Sequence, residues 1–376
     1  MHVVWIHERG SFAGGAERYL GDTARGLRSR VTRQTLLYDP CLPSSPMFFA
    51  PFDAAFPIVD LATQLVALRA DVIFAHRVPP AAEPALAAAN APVVRMFHDH
   101  QLFCPREHKI GLVDGRVCTQ PAGLGCYPCG GFLRRSGGKL KLVGLGGLRR
   151  RQRDAFGADL FVVGSQYLAR EAAANGVPAE RIARLPLYTA ARPPRSSLGT
   201  GLVFAGQLVR GKGVDVLIEA AAEANVSTTI IGDGPERAKL EALARLRQAP
   251  VVFVGTLSPD EVSVHMARAR AVVVPSRVPE TFGLVGIEAM SVGTPVIASS
   301  IGGIPEWLTH DVTGLAVPPD DPVALADAIR AIVSDDALAM RLGDAARGHH
   351  LASFTPERHV IGLHAHFQRL VDGACS

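Results

Sequence analysis

One stretch decides the fold: Ala271-Val272-Val273-Val274-Pro275-Ser276-Arg277-Val278-Pro279-Glu280-Thr281-Phe282-Gly283-Leu284-Val285-Gly286-Ile287-Glu288. An apolar strand leads into a turn with two prolines and a glycine, and a helix follows. We expect the helix to begin near Gly283 and to end near Ser291, because Gly293 can form a left-handed cap and Pro295 cannot continue a helix. This order aims backbone N–H groups and the positive end of the helix dipole at one point, which predicts an anion site.

Two carboxylates bracket this anion site. Glu280 lies on the turn, and Glu288 lies eight residues later. Eight helical steps would separate them by about 12 Å, which suits the two ends of an extended ligand better than an acid and a base acting on one bond. Glu280 can face the reacting end, Glu288 can accept hydrogen bonds from the hydroxyls of a ribose, and a phosphate or diphosphate would lie between them. The alternative is a capping acid and a solvated helical glutamate.

Length and composition favour a soluble enzyme with two domains. The chain has 376 residues, of which 48% are hydrophobic and 20% are charged. A net charge of +4 does not by itself indicate nucleic-acid binding, and we expect no nucleic-acid partner. The first residues, 1–7, resemble a strand rather than a signal peptide, and no apolar run reaches the ~20 residues that span a bilayer. We therefore expect a cytoplasmic protein with reduced cysteines.

Apolar runs alternate with longer helical patterns along nearly the whole chain. Several runs are continuously apolar, as expected for strands that are buried on both faces of a parallel sheet. The pattern predicts an α/β fold with two Rossmann-like, doubly wound parallel sheets, whose ligands bind beyond the carboxyl ends of the strands. The predicted strands are Val3–His7, Val72–His76, Val93–His98, Leu160–Gly164, Leu202–Gly206, Thr228–Gly232, Val251–Gly255, Ala271–Pro275 and Pro295–Ser299.

A segment rich in proline and serine, residues 185–197, is the best linker candidate. It divides the chain into an N-terminal domain, residues 1–190, and a C-terminal domain, residues 191–354. We expect the final helix, within residues 355–376, to return to the first domain.

Glycine-containing turns follow several predicted strands. Gly14 and Gly15 follow the first strand, but their spacing is not that of a dinucleotide-binding fingerprint. Such turns let a ligand approach the backbone, although a plain tight turn explains them equally well. Arg210 and Lys212 lie in the glycine-flanked turn 206–213 and can neutralise a diphosphate, the alternative being a solvated basic turn. Gly232 marks a third, weaker turn of this kind.

Three polar residues end another predicted strand: His98, Asp99 and His100. Each can be an ordinary satisfied strand-end residue. A polar trio at the carboxyl end of a parallel strand is also where a substrate-contacting residue belongs.

A cysteine-rich insertion occupies about residues 100–150. Its spacing, Cys-x13-Cys-x7-Cys-x2-Cys, fits either a tetrahedral zinc site or four thiols that stay reduced or form disulfides. The cysteines are Cys104, Cys118, Cys126 and Cys129, with spare ligands at His98, His100 and His108.

Residues 133–153 carry many basic side chains and no acid. Interspersed Leu and Val allow the segment to bind peripherally to an anionic membrane surface, such as the inner face of the membrane. Its glycines weaken an amphipathic helix, so a solvated face is the alternative. The basic residues are Arg134, Arg135, Lys139, Lys141, Arg149, Arg150, Arg151 and Arg153.

These residues together resemble the retaining nucleotide-sugar glycosyltransferases of family 4, also called group 1, which have the GT-B fold. The resemblance covers nearly the whole chain. It rests on the E-x7-E pattern of Glu280 and Glu288, the glycine loops 14–17 and 206–213, and the runs 302–306 and 313–319.

The resemblance implies two domains facing a cleft, with the donor bound mainly by the second domain and the acceptor by the first. Glu280, His98, Lys212 and Arg210 would be the catalytic residues. Lys212 and Arg210 would stabilise the diphosphate leaving group, and His98 would lie near the donor sugar. The remaining donor-binding residues would be Gly14, Gly15, Gln207, Gly232, Phe282, Gly283, Leu284 and Glu288.

The chain departs from the family at Gln207, where arginine is common. Arg210, three residues later, would then supply the missing charge. The cysteine-rich segment is shared only by a subgroup of the family.

The expected reaction moves a sugar from a UDP-, GDP- or ADP-sugar to an acceptor hydroxyl, with retention of the anomeric configuration. Leaving-group stabilisation by cations would make a catalytic metal or other cofactor unnecessary, and structural zinc remains an option. The acceptor could be a glycan, a lipid-linked molecule or a small molecule. Alternatives are a nucleotide-sugar epimerase of the same fold and a catalytically silent sugar-nucleotide-binding protein.

Overall fold

The computed structural model describes residues 1–12, 14–111, 116–131, 133–136, 139–142 and 144–374. The chain divides into two compact units. Unit 1 comprises Met1–Pro186 together with the chain from Pro356 onward, and unit 2 comprises Leu187–Thr355.

Unit 1 is built on a parallel sheet of seven described strands in the order β3-β2-β1-β4-β5-β8-β9. The remaining pair, β6 and β7, forms an antiparallel hairpin. The strands are β1 (His2–His7), β2 (Arg33–Tyr38), β3 (Ala54–Pro57), β4 (Val72–Ala75), β5 (Val93–Phe97), β6 (Leu133–Ser136), β7 (Lys139–Leu142), β8 (Leu160–Val163) and β9 (Ile182–Arg184).

Helices cover the faces of this sheet because the central strands are apolar on both sides. Residues 3–7 of β1, for example, are all buried. The helices are α1 (Gly15–Leu27), α2 (Pro46–Phe49), α3 (Leu61–Leu68), α4 (Glu83–Ala87), α5 (Leu145–Ala155) and α6 (Gln166–Ala174).

Unit 2 contains a parallel sheet of six described strands in the order β12-β11-β10-β13-β14-β15. The strands are β10 (Leu202–Ala205), β11 (Thr228–Ile231), β12 (Val251–Gly255), β13 (Ala271–Val274), β14 (Val296–Ser299) and β15 (Gly314–Val317). The helices are α7 (Val214–Ala224), α8 (Arg237–Leu246), α9 (Pro259–Ala267), α10 (Leu284–Ser291), α11 (Pro322–Ser334) and α12 (Asp336–Ser353). Its core includes Ile218, Val273, Ile297 and Ile329, all fully buried.

The last helix, α13 (Pro356–Ala374), packs on unit 1. The ring of Phe367 lies 5.2 Å from that of Phe74 on β4. His359 contacts the carbonyl of Pro186 through Nδ1 at 2.7 Å and the hydroxyl of Tyr19 through Nε2 at 2.6 Å. A carbonyl can only accept, so Nδ1 of His359 donates and the Tyr19 hydroxyl donates to Nε2.

All nine strands predicted from the sequence are present, and most end one residue earlier than predicted. The prediction omitted β2, β3, β6, β7, β9 and β15, which are short or carry polar residues within the strand. The predicted fold of two parallel-sheet α/β domains is confirmed.

Candidate active site

The turn between β13 and α10 has the predicted form. Helix α10 begins at Leu284, directly after Gly283 in the left-handed conformation, and ends at Ser291. Gly293 is also left-handed, with φ of +78°, as the predicted cap requires. Phe282 as a whole residue is only 1% exposed, so its side chain does not face a ligand.

Glu280 lies on this turn and is held by two side chains. Nζ of Lys212 donates to Oε1 of Glu280 at 2.7 Å, and Oγ of Ser276 donates to the same oxygen at 2.5 Å. Ser276 is fully buried, whereas the Lys212 side chain is 33% exposed. The structure therefore brings together Lys212 and Glu280, which were predicted separately, and adds Ser276, which the sequence analysis missed.

Backbone contacts explain why the turn and the 206–213 loop meet. The carbonyl of Gly211 accepts from the N–H groups of Arg277 at 2.9 Å and Val278 at 3.2 Å. Gly213 has φ of +66°, and a Cβ atom built there would lie 1.9 Å from the carbonyl oxygen of Pro275. Only glycine permits this approach, which brings Lys212 close to Glu280.

The segment 302–307 supports the turn from the other side. Gly302 has φ of +62°, and a Cβ atom there would lie 2.3 Å from the carbonyl oxygen of Glu280. The N–H of Gly303 donates to that carbonyl at 2.7 Å. Nε1 of Trp307 donates to the carbonyl of Phe282 at 2.7 Å. The run 302–306 thus packs against the backbone of the turn, a structural role that its sequence did not reveal.

Several other residues that were predicted to bind the nucleotide-sugar donor lie near this turn or in loops of the same unit. Glu288 is half-buried on α10, four residues after its first residue. Gly232 directly follows β11, and a Cβ atom on it would lie 1.9 Å from the carbonyl oxygen of Gly206, so the two loops are in contact. Gln207 and Arg210 are exposed, and the guanidinium of Arg210 makes no hydrogen bond or ion pair with the described residues. Arg210 is therefore not drawn into the Lys212–Glu280 contact.

Arg277 is a second residue that the sequence analysis missed. Its guanidinium donates to Asp215 on α7 at 2.5 Å and to Asp320 at 2.6 Å. Burial alone would lower the pKa of Arg277, but its hydrogen bonds with Asp215 and Asp320 raise it. The pair of bridges ties the turn to two other elements of unit 2.

In unit 1, three adjacent strands β1, β4 and β5 lead into His7, His76 and His98. His7 and His76 are buried, and His98 is half-buried at the end of this row. Nδ1 of His76 lies 2.8 Å from Nε2 of His98. His76 was not predicted, although a histidine after each of three strands was a visible signal.

Glu17 closes the other end of the row. Oε1 of Glu17 lies 3.2 Å from Nε2 of His7. Burial alone would raise the pKa of Glu17, but hydrogen bonds from His7 and from the backbone lower it to about 2. Gly14 and Gly15, the predicted glycine pair, are exposed at the start of α1, the helix that carries Glu17.

A charged residue follows each histidine of the row: Glu8, Arg77 and Asp99. Nη1 of Arg77 donates to Glu8 at 3.1 Å, and Nε donates to Asp99 at 2.9 Å. His100, the third member of the predicted polar trio, contacts the hydroxyl of Tyr167 at 2.9 Å and is buried. Of the predicted trio, His100 therefore makes a buried contact, whereas His98 and Asp99 lie at the edge of the sheet.

Three cysteines of the insertion, Cys104, Cys118 and Cys126, lie close enough to Cys129 to interact with its thiol electrostatically. Among the residues that the structure describes, no group of three or more His, Cys, Asp or Glu can hold a metal ion, and the described cysteines are free thiols. Sγ of Cys129 donates to the carbonyl of Cys126 at 3.3 Å, and that of Cys118 to Gln120 at 3.8 Å. Burial raises the pKa of the Cys129 thiol, so it keeps its proton. The zinc site and the set of metal-free thiols both stay predictions for these four cysteines.

The basic segment 133–153 contains the β6–β7 hairpin and α5. On α5, Leu148, Gln152 and Ala155 are buried, while Arg149, Arg150 and Arg153 are exposed. Leu142 at the end of β7 is 79% exposed. Within the described parts of the chain, no helix has the length and apolarity needed to cross a membrane.

Comparison with known proteins agrees with this architecture. The model of the family "Glycosyltransferase Family 4" matches residues 13–187, and that of "Glycosyl transferases group 1" matches residues 200–349. The chain belongs to the family 4, group 1 glycosyltransferases. The two matches cover the greater part of both units of this family 4 chain.

Curated relatives of this family 4 chain share part of its length. A glycogen synthase of Mycobacterium tuberculosis is 37% identical over 180 residues, which are 46% of this chain and 42% of that protein. A D-inositol 3-phosphate glycosyltransferase of Streptomyces avermitilis is 35% identical over 190 residues, 45% of this chain and 41% of that protein. The chain spans less than half the length of these curated relatives.

Solved structures match the whole fold of the family 4 chain. Anabaena HepE in complex with UDP and glucose superposes with a TM-score of 0.75 at 19% identity, over 97% of this chain and 99% of that chain. The apo form of the lipopolysaccharide outer core galactosyltransferase WaaB superposes with a TM-score of 0.71 at 15% identity, over 98% and 100%. These likenesses establish the GT-B fold.

Proposed function

We propose that the chain is a glycosyltransferase that moves a sugar from a nucleotide-diphosphate sugar to an acceptor hydroxyl with retention of configuration. The observation that carries this proposal is the contact of Lys212 with Glu280 beside the N-terminus of α10. A cation, a carboxylate and free helical N–H groups at one strand end suit a ligand that joins a diphosphate to a sugar.

The donor groups would divide along the turn. Lys212, with Arg210 and Gln207 from the same loop, would hold the diphosphate together with the backbone of Phe282, Gly283 and Leu284. Glu288 would accept hydrogen bonds from the ribose, and Glu280 would orient the sugar. The glycine turns at Gly14, Gly15 and Gly232 would allow close approach of the donor.

In the reaction, the bond between the anomeric carbon and the donor phosphate oxygen breaks. The acceptor oxygen forms its bond to the same face of the sugar, and its proton passes to the departing diphosphate. Lys212 stabilises the charge that develops on the diphosphate. His98, in unit 1, contacts the sugar.

A donor panel tests the proposal. Solved structures of HepE contain UDP and UDP-glucose, so UDP-sugars are the first donors to try, followed by GDP- and ADP-sugars. Nucleotide release that increases with added glycan, lipid-linked or small-molecule acceptors is the expected result. An isomerised donor without acceptor would instead indicate an epimerase, and binding without turnover a silent protein.

Two further measurements test the mechanism. The H1–H2 coupling of the transferred sugar, read by NMR in the glycoside product, should show the same anomeric configuration as in the donor. The rate should survive a chelator, because Lys212 and the start of α10 neutralise the diphosphate. Loss of activity with a chelator and recovery with magnesium would contradict this part of the proposal.

We also propose that the basic segment 133–153 brings the protein to an anionic surface on which a lipid-linked acceptor lies. The exposed arginines of α5 and the exposed Leu142 support this. The protein should sediment with vesicles of phosphatidylglycerol and phosphatidylcholine but not with phosphatidylcholine alone. A variant with Arg149, Arg150 and Arg153 changed to Ser should lose this binding, and equal sedimentation with both vesicles would refute it.

A further inference from the structure

His76 is buried at the centre of the histidine row and has a polar contact on one side only. It is 3% exposed, and its ring stacks on Trp5 at 5.6 Å and lies 4.3 Å from the ring of Phe74. Nδ1 lies 2.8 Å from Nε2 of His98, and the two rings are nearly parallel. Nε2 of His76 is buried and has no hydrogen-bond partner among the described residues.

Both rings are neutral near pH 7. Burial is the main cause that lowers the pKa of His76, with smaller contributions from His98 and His7. Burial likewise lowers the pKa of His98 to about 3, assisted by His7 and Arg77 and opposed by Asp99 and Glu17. The charged or titratable groups around the pair are Glu17 and Tyr19 of α1, His7 and Glu8 at the end of β1, Arg77 after β4 and Asp99 after β5.

Because both rings are neutral, only one proton lies between Nδ1 of His76 and Nε2 of His98. Either nitrogen can carry it, so there are two arrangements. If Nε2 of His98 donated, the proton of His76 would lie on its own Nε2, and a buried N–H would have no acceptor. If Nδ1 of His76 donates, Nε2 of His76 is a bare acceptor. Buried N–H groups without acceptors are rarer than acceptors without donors, which favours donation from His76.

We propose that His76 is a positioning residue that donates Nδ1–H to Nε2 of His98 and thereby holds His98 as the neutral Nδ1–H tautomer. His98 is then a hydrogen-bond donor toward a sugar oxygen and is neither a cation nor a general base through Nε2. The use of this donor rests on the proposed function, but the tautomer itself does not.

The tautomer can be read without substrate. In two-bond ¹H–¹⁵N spectra of protein labelled with ¹⁵N-histidine, with His98 assigned from a His98→Gln spectrum, Nδ1 of His98 should carry the proton from pH 5 to pH 8. A protonated Nε2 on neutral His98 in the wild-type protein would overturn the proposal. The tautomer is read on the wild-type protein, and the His98→Gln protein, checked for folding by thermal unfolding, serves only for the assignment.

Two substitutions at His76 separate its hydrogen bond from its packing. His76→Phe keeps a ring but removes the donor, so His98 should show mixed tautomers. His76→Asn places an amide N–H near the position of Nδ1 and should keep the Nδ1–H tautomer. Thermal unfolding of both variants checks that each is folded. An unchanged His98 tautomer in folded His76→Phe would show that His76 does not select it.

Kinetic measurements test whether the Nδ1–H group of His98 contributes to turnover. His76→Phe should lower kcat about tenfold, the effect of one misdirected hydrogen bond, with a smaller change in KM. His76→Asn should restore most of that loss. Equal kcat values for the two variants would overturn the role of His76 in turnover while leaving the NMR result intact. Absence of any transfer in the wild type would instead count against the proposed function.

Discussion

Nζ of Lys212 and Oε1 of Glu280 lie 2.7 Å apart, although 68 residues separate them in the chain. The charge of Lys212 is therefore balanced by a carboxylate that itself accepts from Ser276. A diphosphate that arrives at this turn would compete with Glu280 for the ammonium group. The contact thus keeps the ammonium group of Lys212 at the turn, where the proposed function places the diphosphate, and fixes Glu280 beside it.

Replacing Lys212 by Ala should lower kcat by about 10²- to 10³-fold, because a donor to the developing charge of the leaving group is lost. The free energy of unfolding should change by less than about 1 kcal/mol, because the Lys212 side chain is partly exposed. Initial rates and thermal unfolding measure the two effects. Lys239→Ala, which removes a 76% exposed lysine of α8 that pairs with Glu236, is the matched control. An unchanged kcat would remove Lys212 from the mechanism.

Ser276→Ala removes the buried hydroxyl that donates to Glu280. We expect a loss of about 1 kcal/mol in the free energy of unfolding and a decrease in kcat smaller than that of Lys212→Ala, because one of two partners of Oε1 remains. Denaturant unfolding and initial rates check both values. Ser300→Ala, at an exposed serine of the same unit, should alter neither quantity. A kcat equal to the wild-type value would mean that Lys212 alone positions Glu280.

Gly302→Ala should disturb the turn through its backbone. The added Cβ would lie 2.3 Å from the carbonyl oxygen of Glu280, and a left-handed φ of +62° costs alanine about 1–2 kcal/mol more than glycine. We expect a loss of at least about 2 kcal/mol in the free energy of unfolding and a large fall in kcat. A well-folded, fully active variant would contradict the proposed support of the turn by residues 302–307.

Gly348→Ala is the control for that experiment. Gly348 lies in α12, and no atom lies within 4 Å of a Cβ built there. Alanine favours the helix over glycine by up to about 1 kcal/mol, so this variant should be at least as stable as the wild type and equally active.

Buried histidines should make the fold sensitive to acid. Burial lowers the pKa of His359 and of His350 to about 4, each opposed by one hydrogen bond that the histidine makes with the backbone, at Pro186 and Thr189 respectively. Between pH 6.5 and about 4 the unfolded chain binds protons that the folded chain does not. The free energy of unfolding should therefore fall with decreasing pH, by about 1.4 kcal/mol per pH unit for each such histidine.

His359→Asn tests this slope at one position. Its free energy of unfolding, followed by denaturant titration from pH 7 to pH 4.5, should fall less steeply than that of the wild type. His364→Asn, at a partly exposed histidine of the same helix, is the matched control. Parallel curves for His359→Asn and the wild type would show that His359 does not contribute to the acid sensitivity.

Much of the fold could be read from local patterns. Helix α9, for example, begins with Pro259 at its first residue and a capping box between Ser258 and Glu261, both of which are local sequence signals. The thiols of the cysteine-rich insertion show the limit of such patterns, because spacing along the chain does not reveal whether sulfur atoms converge on one point. The hydrogen bonds of Cys118 and Cys129 to backbone carbonyls appear only in three dimensions.

The sequence by itself determined nine of the fifteen described strands, the helix that starts after Gly283, and the placement of Glu280 on the turn and Glu288 on that helix, because apolar periodicity, caps and breakers act over a few residues. Only the tertiary structure decided that Lys212, rather than Arg210, contacts Glu280, and that Ser276 and Gly302 contact the same turn of unit 2. In unit 1, it decided that His76 contacts His98. Within each unit, such residues meet because parallel strands from distant parts of the chain end at the same sheet edge. No local pattern encodes which strand ends become neighbours, since packing of the whole sheet sets that order.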